Sequence, residues 1–329
     1  MYTTKKISAD LYLEIANKYA FPLTIEQTPE WSEYQATIPG RTPFGFYCVE
    51  NSDGVPVAVF SLVQFETHGY LYLRANHGPI YKETPDKATE TEILKSIKDY
   101  LHKTYPKHVF FRCNTLFDDV ATMALSGVGY DTTVFVDLTG SDEDILTRMK
   151  ARGRRDVRKS LRECPCKTAE ETELAAANFE PYYEVMVETG ERDGFSPAPM
   201  QDYQNMLNIL GSDKCKLFCA REGDEIASWS IYTICAGVAT RYYAASRTAF
   251  KKKSVNDKLA YEDFCRINKL GIKVCDLMGI GSDFAPSLKG LNEFKCKFYP
   301  EVKHVAAMRD IPLRSAFYRC LKLAKKFKR

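Results

Sequence analysis

The sequence predicts a mixed α/β protein made of two tandem copies of one ββαβαβ unit. Three observations predict it. Strand-like runs alternate with amphipathic helical stretches along the chain. The order hairpin, helix, strand, short helix, strand occurs once in each half. At 329 residues the chain is long for one domain and comfortable for two.

In the first half, Val57 to Phe65 is rich in β-formers, and Glu66-Thr67-His68-Gly69 turns it into Tyr70 to Arg74. Thr84-Pro85 predicts a helix start, with Thr84 as N-cap and Pro85 at the first helical position. Ile93, Leu94, Ile97, Tyr100 and Leu101 then recur at helical spacing. His108 to Arg112 reads as a buried strand, Asp118 to Leu125 as a short helix, and Thr133 to Leu138 as the closing strand.

The second half repeats the order. Cys215 to Arg221 and Ile226 to Cys235 form a hairpin around Glu222-Gly223-Asp224, and Val238 to Ser246 adds a strand. Val255, Leu259, Phe264, Ile267 and Leu270 mark a helix face that Gly271 terminates. Lys273 to Met278 is a strand, a short helix lies near Leu291, and Val302 to Met308 is the last strand. Helices Ser141 to Leu161, Glu171 to Thr189 and Pro199 to Leu210 separate the two copies. The first is capped by Ser141, with Asp144 three residues on. Such units match the acetyltransferase-like (GNAT-type) fold. The expected domains are 1–139, completed by 309–329, and 140–308.

The net charge of +3 is small, so its distribution matters more than its sum. Arg148, Lys150, Arg152, Arg154, Arg155, Arg158, Lys159 and Arg162 crowd one stretch in which Asp156 is the only acid. A polyanion such as tRNA would favour that pattern, with Arg152, Arg154, Arg155, Arg158 and Lys159 as its contacts; the alternative is a solvated face. After Asp310 no acid occurs, and Arg314, Arg319, Lys322, Lys325, Lys326, Lys328 and Arg329 surround Phe317, Leu321, Leu323 and Phe327. That segment suits an anionic membrane surface, or it is a solubilising tail.

The N-terminus has no apolar run behind its lysines, which argues against a secretory signal, and no window is apolar enough to span a bilayer. A cytoplasmic protein, peripheral at the membrane at most, is expected. The cysteines number 11, and most lie inside apolar patterns as small buried hydrophobes. Cys164-Pro165-Cys166 is the only close pair and lacks the spacing of a zinc site. No metal or organic cofactor is expected.

Four short segments carry the chemistry: Glu191-Arg192-Asp193-Gly194-Phe195, Arg241-Tyr242-Tyr243-Ala244-Ala245-Ser246, Asp276-Leu277-Met278-Gly279-Ile280-Gly281 and Phe294-Lys295-Cys296-Lys297-Phe298. With the basic helix before them and Gly78-Pro79 upstream, they resemble the FemABX family, most strongly from Thr133 to Glu301. The chain is similar to the short members without a coiled-coil arm. The resemblance implies a transferase that moves an amino acid from aminoacyl-tRNA to the stem peptide of a peptidoglycan precursor, lipid II or a nucleotide-linked pentapeptide. It implies Lys295 as the cation for the tetrahedral intermediate or the terminal phosphates, beside Phe294.

The reaction is aminolysis of an ester, in which proximity contributes roughly 7 to 11 kcal/mol and a positioned cation roughly 3 to 4 kcal/mol. Neighbours on a strand alternate faces, so one of Tyr242 and Tyr243 is expected in the cleft, and Tyr243 is favoured. Arg192 and Asp193 read as an ion pair closing a helix, with Arg192 a substrate-binding candidate. Asp276, Gly279 and Gly281 follow a buried strand, where glycine permits close backbone approach. The chain departs from the family where a relative's diphosphate ligands and proposed base would fall, at Gln35, Ala198 and Asn114. That weakens a nucleotide-linked acceptor and favours a lipid-linked one.

The competing enzyme is a CoA-dependent N-acyltransferase, against which stands the glycine-free stretch Arg247 to Asn256 where pyrophosphate would bind. Aminoacyl transfer to a lipid or protein uses the same donor chemistry, and a non-catalytic tRNA- or membrane-binding module is the other alternative.

Overall fold

A computed structural model describes residues 1–125 and 129–327. The chain divides into two compact units, Met1–Asp131 with Val305–Arg329, and Thr132–His304.

The first unit is built on one sheet, in the order Thr3–Ile7, Arg41–Glu50, Pro56–Thr67, Tyr70–Arg74, His108–Thr115, Ala307–Pro312 and Thr122–Met123. Pairing is antiparallel except between Tyr70–Arg74 and His108–Thr115. The hairpin turn expected before Tyr70 forms at His68-Gly69, both at positive φ (46° and 76°), the twist that a two-residue hairpin loop requires. Helix Lys87–Thr104 buries Ile93, Leu94, Ile97 and Leu101 against the sheet. Its N-cap is Asp86, whose carboxylate accepts from Thr89 N–H at 2.8 Å, so the helix starts beyond Thr84-Pro85.

The second unit's sheet runs Lys303–His304, Thr132–Asp137, Val274–Gly279, Val238–Ser246, Glu225–Cys235, Cys215–Glu222 and Lys167–Glu170. One pair is parallel, Val238–Ser246 with Val274–Gly279, and it ends at Thr240 opposite Asp276. Beyond that point the two strands part. Helix Val255–Lys269 buries Leu259, Phe264 and Ile267 on one side, in a cluster with Phe218, Tyr232 and Val134. Trp229 faces the other way, between the rings of Phe179 (5.5 Å) and Tyr203 (6.3 Å).

Several sequence expectations change. Thr133 to Leu138 belongs to the second sheet, paired with Val274–Gly279. Val302 to Met308 is two pieces: Lys303–His304 edges the second sheet and Ala307–Pro312 enters the first. No helix forms over Asp118 to Leu125. Just before it the Glu90 carboxylate holds the N–H groups of Leu116 and Phe117, both at 2.8 Å, and within it Thr122–Met123 joins the sheet and Leu125 N–H donates to Asp310. Ser141 to Leu161 is two helices, Asp142–Arg148 and Ala151–Glu163, broken where Lys150 N–H donates to the Lys297 carbonyl at 3.1 Å. Glu171 to Thr189 breaks before Pro181, which favours the first turn of a new helix.

Candidate active site

A cavity of about 280 Å³ opens in the second unit where the two parallel strands part. Arg241 to Ser246 line it from one strand and Leu277 and Met278 from the other. Thr189, Arg192 and Asp193 reach it from the end of helix Glu180–Asp193, Asn256 from the start of Val255–Lys269, and Leu291, Phe294 and Lys295 from the short helical stretch beyond Gly281. The four segments singled out in the sequence therefore meet at one place.

Lys295 is held from two sides. Its ammonium donates to the carbonyls of Met278 (3.2 Å) and Gly279 (2.9 Å). Burial lowers its pKa to about 8; the Arg241 charge acts in the same direction, and Asp276 opposes both. Met278 presents its carbonyl from a left-handed conformation, φ +60°, unusual for a non-glycine residue. Asp276 fixes that turn: its Oδ1 accepts from Met278 N–H (2.8 Å) and from Thr133 Oγ1 (2.5 Å). Asp276 is not among the cavity-lining residues and acts here by shaping the strand end.

Gly279 contributes its carbonyl and Gly281 its close packing. A Cβ at Gly281 would collide with the Lys289 backbone. Its N–H and carbonyl pair with the Asn292 side-chain amide at 2.7 and 2.9 Å, which ties down the segment carrying Phe294 and Lys295.

Tyr242 and Tyr243 both line the cavity, against the expectation that only one could. A β-bulge explains it. Ile231 pairs with Tyr243 and Tyr232 with Arg241, leaving Tyr242 unopposed and breaking the alternation of faces. Tyr243 packs edge-on to Tyr203 at 4.9 Å.

Arg192 and Asp193 form a two-pronged pair, with both contacts at 2.9 Å, and Arg192 also donates to the Ser246 carbonyl at 2.7 Å. Thr189 Oγ1 grips both the N–H (3.0 Å) and the carbonyl (3.1 Å) of Ser246. This pair thus does more than close its helix at Gly194: it pins the strand end that forms the cavity wall.

The basic helix packs on the Lys295 segment. A Cβ at Gly153 would strike the Lys297 carbonyl oxygen, and Arg152 pairs with Glu293. Its charges are less naked than the local count suggests. Arg158 pairs with Glu143 (2.9 Å), Arg155 with Asp156 (3.0 Å) and Lys159 with Glu163 (3.8 Å). Arg154 donates to the carbonyls of Thr147 and Met149, capping the helix before it. Arg152, Arg155, Arg158 and Lys159 remain exposed.

Arg241 opens one of the four segments but carried no expected role, and Asn256 was not singled out in the sequence. Arg241 stands over the Phe294 ring at 5.5 Å. Asn256 joins Ser228 Oγ (2.8 Å) to Ser246 Oγ (3.3 Å). The fold brings Asn256 to the cavity and turns the Arg241 side chain into it. In the first unit, Gln35 accepts from Arg41 (2.8 Å), and Asn114 clamps His77 N–H and the Ala306 carbonyl, both at 3.0 Å. The Ala198 carbonyl accepts from Tyr183 Oη at 3.1 Å. Among the described residues no cluster of His, Cys, Asp or Glu could hold a metal ion.

Residues 151–295 match the family model of the acetyltransferase (GNAT) domain. No curated protein matches the chain in sequence. Among solved structures, the crystal structure of FemX aligns with 96% of this chain and 99% of its own, with a TM-score of 0.72 at 14% identity. L-PGS from Bacillus licheniformis aligns with 98% of this chain and 97% of its own (TM-score 0.55, 14% identity). A tandem GNAT protein from the clavulanic acid biosynthesis pathway aligns with 95% and 99% (TM-score 0.56, 8% identity). The fold is that of tandem acetyltransferase-like units, as the sequence predicts, and FemX carries the name of the family that its motifs resemble.

Proposed function

We propose that this chain is an aminoacyl-tRNA-dependent transferase that adds an amino acid to the stem peptide of a peptidoglycan precursor, preferentially a lipid-linked one. The observation that carries the reading is Lys295, a half-buried ammonium anchored at the parting of two strands, with the basic helix packed on its own segment.

In the reaction the acceptor amine attacks the aminoacyl ester carbonyl. A C–N bond forms, the C–O bond to the tRNA ribose breaks, and the proton lost by the amine is balanced by the one gained by the ribose oxygen. The ester is already activated, so no covalent enzyme intermediate is needed. Lys295 stabilises negative charge at the reacting end of the donor. Tyr242 and Tyr243 supply apolar faces and hydroxyls to position it. Arg152, Arg155, Arg158 and Lys159 exchange their surface carboxylate partners for phosphates, because exposed pairs of this kind are worth about 1 kcal/mol or less.

The C-terminal helix Ser315–Phe327 supports a membrane contact. Its inner face docks on the first unit through Tyr318 and Leu321, with Lys322 donating to Thr122 at 2.6 Å and Lys325 to the Leu125 carbonyl. Its outer face leaves Phe317, Leu323 and Arg319 exposed, with Arg314 exposed just before it. Lys328 and Arg329, with the side chains of Lys326 and Phe327, lie outside the described residues. No described helix is long and apolar enough to cross a membrane.

The match to the acetyltransferase domain favours a second reading, CoA-dependent acyl transfer. Against it, the turn before helix Val255–Lys269 has no glycine, and two of its basic groups are engaged, Lys253 with Glu222 (2.5 Å) and Arg247 with Glu184 and Glu188 (3.2 Å each), while Lys251 and Lys252 stay exposed. The deciding experiment offers purified protein a pool of charged tRNAs with lipid-linked or nucleotide-linked precursor and reads products by mass. Transfer to the lipid-linked precursor is expected. Consumption of an acyl thioester with no transfer from charged tRNA overturns the reading.

A further inference from the structure

We propose that Arg241 and Lys295 form a two-cation clamp for a phosphate ester of the substrate, an inference that rests on the transferase reading above.

Arg241 projects from the residue just beyond the last parallel pair, Thr240 with Asp276, where the strands part. Its Nε is buried without a hydrogen-bond partner. Burying such a donor costs about 1 to 3 kcal/mol, more where the group is charged. The guanidinium lies over Phe294, whose ring face attracts the cation without neutralising it. The nearest alternative explanation is that Arg241 serves as counter-ion to the buried Asp263. The Arg241 charge does act on that carboxylate, but among the described residues the direct partners of Asp263 are Ser230 Oγ at 2.6 Å and Arg266 at 3.7 Å, and the Nε of Arg241 stays unpaired.

Lys295 completes the clamp. An ammonium has three N–H donors, and two are committed to the Met278 and Gly279 carbonyls. The third remains for a ligand. The nearby Asp276 carboxylate is occupied by Met278 N–H and Thr133, and Asp193 on the cavity wall by Arg192. Two cations thus share a half-buried cavity whose wall carboxylate is already paired, and the Arg241 charge disfavours that of Lys295. A resident anion removes that penalty. An oxyanion exists only transiently at one atom, whereas a phosphodiester presents two oxygens to a planar fork and a point charge together. The exposed basic helix packed on the same segment continues the positive surface.

The shared chemistry is a phosphate ester, and its sources are the 3′-terminal phosphodiester of tRNA, the diphosphate of CoA, or the diphosphate of a precursor. The test is calorimetric binding to the full-length protein and to Arg241→Gln and Arg241→Lys, with four probes: the trinucleotide CCA, adenosine, CoA and UDP. The expected result is that CCA binding weakens tenfold or more in R241Q, while adenosine binding changes less than twofold. The log–log salt slope for CCA should fall by about 0.7, one phosphate contact on a single strand. R241K, which retains the charge, should keep the slope. Equal losses for CCA and adenosine, or no loss for any probe, overturn the clamp. Arg241-dependent binding of CoA or UDP but not CCA sustains the clamp and sinks the tRNA donor. Transfer from charged tRNA with unchanged KM in R241Q sinks the clamp and leaves the transferase standing.

Discussion

Tyr242 and Tyr243 are consecutive in the chain, yet both line one cavity with ring centroids 5.2 Å apart. The bulge that permits this leaves Tyr242 out of the strand register, while Tyr243 also packs against Tyr203. The two rings should therefore respond differently to truncation. Tyr242→Ala should lower kcat/KM about tenfold, about 1.4 kcal/mol, with Tm nearly unchanged. Tyr243→Ala should lower activity and also stability, by about 2 kcal/mol for a half-buried ring. Steady-state kinetics beside thermal melts separate them; matched losses of stability in both variants contradict the assignment.

Lys295→Ala should reduce transfer at saturating substrate tenfold or more, about 1.4 kcal/mol on the barrier or above. The pH dependence follows from its lowered pKa of about 8. Below that pH the group is charged, and raising pH through it removes the cation. Lys295→Arg stays charged throughout, so the activity ratio of K295R to wild type should rise from pH 7 to pH 9. Titration of the attacking amine cancels in that ratio. A flat ratio removes the cation from the mechanism.

Gly153→Ala tests the packing of the basic helix on the Lys295 segment. Its Cβ would collide with the Lys297 carbonyl, displacing the segment two residues after Lys295. Transfer should fall severalfold although position 153 does not line the cavity. Unchanged kinetics would mean that the segment relaxes without moving Lys295.

Asp263 is fully buried, and desolvation raises its pKa to about 7 despite Ser230, Arg241 and Arg266. An unfolded aspartate has a pKa near 4. Between those values the native state binds a proton that the unfolded state does not, so stability falls as pH rises from about 4 to about 7. Asp263→Asn removes the titration. Its Tm, relative to wild type, should be higher at pH 8 than at pH 4; an equal offset at both would show that the carboxyl does not titrate in this range.

In the first unit, Arg112 and Asp310 pair at 2.6 and 3.0 Å although they are 198 residues apart. Asp310 also accepts from Leu125 N–H and Tyr318 Oη. Removing one partner leaves a buried charge, so Asp310→Ala should cost about 3 to 5 kcal/mol in chemical denaturation. A loss below 1 kcal/mol would show the pair to be solvated.

Much of the fold was legible because it rests on local pattern. Helix Lys87–Thr104, the hairpin Cys215–Glu222 with Glu225–Cys235, and the stop at Gly271 follow from periodicity and turn chemistry. The segments bearing Lys295, Tyr243 and Arg192 were legible too, as an ordered set of motifs. The misreadings have one cause. Over Asp118 to Leu125, at Met149-Lys150 and at Tyr242, a partner distant in sequence decides the backbone: Arg309–Asp310, Lys297 and Ile231–Tyr232. Local pattern carries no trace of those partners.

The sequence alone determined most of the elements, their order, and which short segments carry charge and aromatic rings. Tertiary structure decided that Arg241 stands beside Lys295, that both tyrosines share a wall, and that the basic helix seats on the lysine's segment. The reason is physical. Periodicity records which face of an element is apolar, whereas the position of a side chain at a strand parting depends on bulges and backbone contacts made across the fold.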